Sequence, residues 1–131
     1  MKHKSMKTRL LSFATLLAIL LPMIAMTSYA AQYLFDFAFN GSTSTWWARG
    51  EKYNSTDNPA TVNVTTGDFG IGQTKLRMVD MERAPASSYI SVNSYGSYRI
   101  TYLGSIPGNV VYLEGQPTNQ YVWACGGSFT P

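Results

Sequence analysis

Histidine and cysteine are nearly missing from this chain, and their scarcity excludes much of the chemistry open to a small protein. The only histidine, His3, lies in an N-terminal leader. The body therefore has no imidazole to act as general base, activate a serine or bind a metal. Cys125 is the only cysteine, which rules out an intramolecular disulfide, a structural zinc site and a self-contained redox pair. The glycine-rich run Gly67-Asp68-Phe69-Gly70-Ile71-Gly72 lacks GxGxxG order, a following helical pattern and a Lys-Ser/Thr pair, so it reads as a turn rather than a phosphate cradle. Asp57 and Asp68 sit in turns without the alternating acidic ladder of a calcium loop. Charge is scarce as well: past Ala30, six Lys and Arg face seven Asp and Glu, a net charge of −1. Such a body offers no basic patch to neutralise phosphates. The composition thus predicts no metal, nucleotide or redox cofactor and no nucleic-acid partner.

What is present divides at residue 30. Lys2, Lys4, Lys7 and Arg9 precede an apolar stretch from Leu10 to Met26, and Ser28-Tyr29-Ala30 has the small-x-small form of a signal-peptidase site. Residues 1–30 read as a secretory signal peptide, with the mature protein beginning at Ala31. The alternative is an uncleaved anchor, disfavoured because the run of 17 residues is short for a bilayer and contains Pro22. Membrane contact is expected only through an uncleaved leader. Residues 31–131 then form a single secreted, extracellular domain whose core must stabilise itself without disulfides. The triplets Asn40-Gly41-Ser42, Asn54-Ser55-Thr56 and Asn63-Val64-Thr65 match glycosylation sequons, but a body with ten Ser and ten Thr produces such triplets by composition.

Past Ala30 there is no sustained 3.6-residue period. Short alternating runs separated by Gly, Pro, Asn and Asp predict an all-β fold, a single antiparallel β-sandwich of about eight short strands. In Tyr33–Phe39 the rings of Tyr33, Phe35, Phe37 and Phe39 share one face, and Asn40-Gly41 signals a tight turn. Further strands are expected over 45–53, 60–65, 73–82, 88–93, 97–103, 109–114 and 120–126. Tyr98, Tyr102, Tyr112 and Tyr121, with Ile100, Val110 and Trp123 at matching parity, are expected to line the interface between sheets. Cys125 shares the parity of Tyr121 and Trp123 and is expected to be buried; the alternative is a cross-link between chains, eased by Gly126 and Gly127.

Two groups of residues stand out as functional candidates. Trp46 and Trp47 are consecutive in a strand, so their indoles face opposite sides and one meets the surface. Trp47 shares its face with Arg49 and Tyr53, and these four residues form the candidate binding site, where an exposed indole would stack on a sugar ring or anchor a protein contact. The competing reading places Trp47 under a loop or between two charged strand neighbours. The second group is Asp80 and Glu82, which on a continuous strand would share a face about 7 Å apart, a spacing compatible with glycoside hydrolysis. Lys75, Arg77 and Arg83 nearby favour a solvated mixed-charge strand instead.

The leader, the alternating aromatic strand, Arg49-Gly50 through Tyr53, Asn58-Pro59, Val110-Val111-Tyr112-Leu113 and the Tyr121-Val122-Trp123 strand near the terminal Pro together resemble small exported Gram-positive β-proteins. Some members of that group neighbour bacteriocin or peptide-export genes. The resemblance implies a role in bacterial antagonism, either bacteriocin-like or protective, and brings no catalytic residues with it. The expected function is a non-enzymatic interaction module at or outside a bacterial cell envelope, with a cell-wall glycan or an extracellular protein as partner. The alternatives are a small glycan-active enzyme using Asp80 and Glu82, and a self-assembling extracellular β-protein.

Overall fold

A computed structural model of the chain describes residues 31–39, 45–52, 58–69, 72–106, 108–119, 122 and 124–131. Among the described residues, eight strands follow one another without an intervening helix: β1 Tyr33–Ala38, β2 Trp46–Glu51, β3 Ala60–Gly67, β4 Thr74–Val79, β5 Ile90–Val92, β6 Gly96–Ile100, β7 Val110–Pro117 and β8 Ala124–Thr130. They form two four-stranded sheets, β1-β8-β3-β6 and β2-β7-β4-β5, with every ladder antiparallel. The pairs β1–β8, β2–β7, β3–β6 and β4–β5 nest inside one another as in one long hairpin whose tip is β4–β5. Rolling that hairpin until β8 meets β3 and β7 meets β4 generates the two sheets, which is the jelly-roll form of the β-sandwich. The fold is all-β, as the alternation predicts.

The core lies between the sheets and is filled by every second residue. Phe35, Phe37, Val62, Val64, Ile100, Cys125 and Phe129 enter it from one sheet, and Leu76, Met78, Val92, Val111 and Leu113 from the other. Phe35 and Phe37 pack at 5.1 Å between ring centroids, and Phe37 and Phe39 at 6.1 Å. Gly115 of β7 makes room for this stack, because a Cβ there would lie 2.4 Å from Phe37 Cδ2. Asn40 and Gly41, the expected turn after β1, lie outside the described residues.

Three strand expectations need correction. Strand β4 ends at Val79 rather than continuing to Glu82, because Asp80 to Ala84 close a tight turn. Val110 and Tyr112 do not line the sheet interface, because Val111 and Leu113 take the inward positions of β7, while Tyr121 and Trp123 lie outside the described residues. The last strand runs from Ala124 to Thr130, later than the expected 120–126. Gly126 and Gly127 therefore lie in the middle of β8 rather than at its end, paired with β1 on one side and β3 on the other. A β-bulge between Val64 and Thr66 brings the β3 backbone so close that a Cβ at Gly127 would sit 2.0 Å from the Asn63 carbonyl oxygen. Cys125 is fully buried as expected, and burial pushes its thiol up to about 12, so it stays protonated and shielded in the folded chain.

Candidate functional site

The outer face of the β2-β7-β4-β5 sheet carries one continuous row of interacting side chains. Register places Trp47 opposite Glu114, and Glu114 opposite Arg77. Tyr89 joins the row because Ile90 pairs with Leu76, which sets the preceding residue over Arg77. With strands about 4.8 Å apart, the row spans roughly 14 Å across the sheet.

Glu114 is the hub. Its side chain is only 5 % exposed despite its outward position. Oε1 accepts from Arg77 Nε at 2.8 Å and from the Tyr89 hydroxyl, and Oε2 accepts from Trp47 Nε1 at 3.1 Å. Burial alone would raise this carboxyl, but the bonds from Tyr89, Arg77 and Trp47 and the Arg77 charge outweigh it and hold the group below its ordinary range. Burial, reinforced by the Glu114 carboxylate, pushes the Tyr89 phenol up to about 12. The Arg77 guanidinium also lies 4.3 Å from the Tyr89 ring centroid. Donors and acceptors are thus matched, as a shielded charge pair requires.

A second cation caps the row from above. Asp80 to Ala84 form a three-residue hairpin loop: Arg83 N–H donates to Asp80 O at 3.0 Å, and Asp80 N–H donates to Ala84 O at 3.0 Å. Asp80 Oδ1 accepts from the backbone N–H groups of Glu82 and Ala84, at 2.9 and 2.8 Å. Arg83 then occupies the left-handed position, φ 64°, where such loops favour glycine. That backbone carries the Arg83 guanidinium to 4.2 Å from the Trp47 ring and 5.6 Å from the Tyr112 ring. An unfavourable backbone conformation is kept where it aims this side chain at the aromatic pair.

The two tryptophans separate as strand parity requires. Trp46 turns inward and packs against the core, so it contributes nothing to the outer face. Trp47 remains 38 % exposed. Arg49 shares its face, lies opposite Tyr112, and pairs with Glu51 at 3.1 Å. Tyr53 lies outside the described residues. Asp80 and Glu82 share a turn rather than a strand face, so the geometry that would have made them a carboxylate pair is not there. Sequence reasoning passed over Glu114, Tyr89 and Arg83 as site residues. The available signal was a charged residue inside the apolar run of β7, and it acquires meaning only with the strand order.

Among the described residues no three His, Cys, Asp or Glu side chains gather into a metal-holding group. The arrangement suits contact rather than proton transfer, since its one buried carboxylate is committed to three donors. No family model, curated protein or solved structure matches the chain.

Proposed function

We propose that the protein is a secreted, non-enzymatic binding module working at or outside a bacterial cell envelope, with the outer face around Trp47 as its contact surface. The observation that carries this reading is the state of Trp47. Its indole is exposed, yet it is fixed by Glu114 through its ring nitrogen and by the Arg83 guanidinium over its ring. Aromatic and arginine side chains dominate binding energies, and fixing them in advance reduces the ordering cost of association. The partner is a cell-wall glycan or an extracellular protein, and the exported leader and the resemblance to small Gram-positive β-proteins favour a role in bacterial antagonism.

The test is to incubate the purified protein with isolated cell walls and, separately, with secreted proteins immobilised on a matrix. The reading predicts saturable retention on one of them, weakened by Trp47→Ala, with no soluble fragments or new reducing ends released. Release of fragments would make the protein an enzyme, and retention on neither would remove the binding function.

A further inference from the structure

At the end of the sandwich where β4 begins, the connections after β3, β5 and β7 leave an open cleft of about 430 Å³ lined by Phe69, Gly72, Gln73, Asn93, Thr118 and Asn119. It lies at the opposite end of β4 from the Arg83 turn, about 17 Å away along the six-residue strand. The volume is within the range of small-molecule sites, about 300–1,000 Å³.

The cleft has a fixed frame. Thr118 N–H and its Oγ1 both donate to Gln73 O at 2.8 Å, and Oγ1 accepts from Gln73 N–H at 3.2 Å, extending the β4–β7 ladder by one rung. Phe69 forms a wall, its ring held edge-on by Tyr95 at 5.8 Å, while the Tyr95 hydroxyl donates to Gly67 O at 2.8 Å. Gly67 leaves space for that ring, since a Cβ there would meet Phe69 Cε2 at 2.6 Å. Gly72 lets the backbone lie against the Asn119 side chain, 2.6 Å from where its Cβ would be. Among the described residues, no protein group bonds the side-chain amides of Gln73 or Asn93.

The lining chemistry restricts the ligand. None of the six residues is ionisable, so a charged ligand would meet no counter-charge there. A purely apolar ligand would strip water from carboxamides and return no hydrogen bonds. Carboxamides donate and accept at once, which matches hydroxyl groups that do the same, and the accessible lining of the cleft is almost wholly polar, with the Phe69 ring packed back against the core. The geometry points to a second binding site, distinct from the Trp47 face, that takes a short neutral oligosaccharide.

The test titrates the isotopically labelled protein with tetrasaccharides of N-acetylglucosamine and of glucose, following the side-chain amide resonances of Gln73 and Asn93. The site predicts saturable shifts of those resonances with at least one tetrasaccharide at about 10 mM or below. Asn93→Ala should weaken the binding roughly tenfold. Asn93 is exposed, so its variant keeps the wild-type melting temperature and isolates binding from folding. Trp47→Ala should leave these shifts unchanged, so this inference and the proposed function fail separately. An absence of shifts with both sugars, shifts centred on Trp47, or equal shifts with a neutral tetrapeptide would overturn it.

Discussion

Replacing Glu114 by Gln preserves the side chain's shape and deletes the charge on which the outer row depends. The carboxylate accepts three hydrogen bonds at a site 5 % exposed. A hydrogen bond to a charged group contributes about 1.5–3 kcal/mol, and a carboxamide keeps only one acceptor oxygen, so at least one donor is left facing an NH₂ group. Arg77 keeps 22 % exposure, and water recovers part of its lost pairing, which holds the cost below the roughly 3–5 kcal/mol of a fully buried broken pair. The expected loss is about 2–3 kcal/mol, a large share of the roughly 5–10 kcal/mol that stabilises a domain of this size. The corresponding fall in melting temperature is about 10–20 °C. The pH dependence gives a sharper signature. Glu114 titrates below its ordinary range in the folded chain, so its contribution is fully present above the unfolded carboxyl value of about 4.3 and is lost as pH falls through the folded value. Urea unfolding of the two proteins should show a stability gap that is constant from about pH 7 to pH 5 and closes below. A gap equally large at about pH 3, or smaller than about 0.5 kcal/mol at neutral pH, would refute the role assigned to the carboxylate.

Other consequences follow from the same geometry. Phe37→Ala should cost about 3–5 kcal/mol in thermal or denaturant unfolding, because its ring is fully buried against Phe35, Phe39 and the space left by Gly115. Cys125 should resist thiol reagents in the native protein and label fully after denaturation, and non-reducing electrophoresis should show no reductant-sensitive dimer. Ultraviolet titration should place the Tyr89 phenol near pH 12, with burial holding the Tyr102 phenol higher still, and Glu114→Gln should move Tyr89 but not Tyr102 toward the ordinary tyrosine value. Since its folded value is the raised one, its stabilisation is complete below the unfolded value of about 10 and fades as pH rises through 12. Arg83→Gly should leave the melting temperature near or above that of the wild type by relieving the left-handed backbone, while weakening partner binding.

Sequence alternation reveals what is local. It places Phe35, Phe37 and Phe39 in the core and Trp46 and Trp47 on opposite faces, because a two-residue period is a property of the strand itself. It misplaces β8, ending the strand at Gly126, because the bulged β3 backbone that requires Gly126 and Gly127 within the ladder is about sixty residues away in sequence. The row through Glu114 is hidden for the same reason. Trp47 and Glu114 are 67 residues apart, and Arg77 and Glu114 are 37 apart, so their meeting depends on the order of strands in the sheet. Arg83 is obscured differently: only the observed hairpin loop shows that an arginine stands where glycine is favoured, and hence that its side chain is what the position retains.

Whether the Trp47 face is the binding surface is decided by comparing the dissociation constants of two surface variants for the captured partner. Trp47→Ala removes the indole on the β2-β7-β4-β5 face, whereas Leu34→Ala trims an 82 % exposed side chain of β1, in the opposite sheet. Binding should weaken by roughly tenfold or more for Trp47→Ala and by less than about twofold for Leu34→Ala. Equal affinities for wild type and Trp47→Ala, or a larger loss from Leu34→Ala, would put the contact surface elsewhere on the molecule.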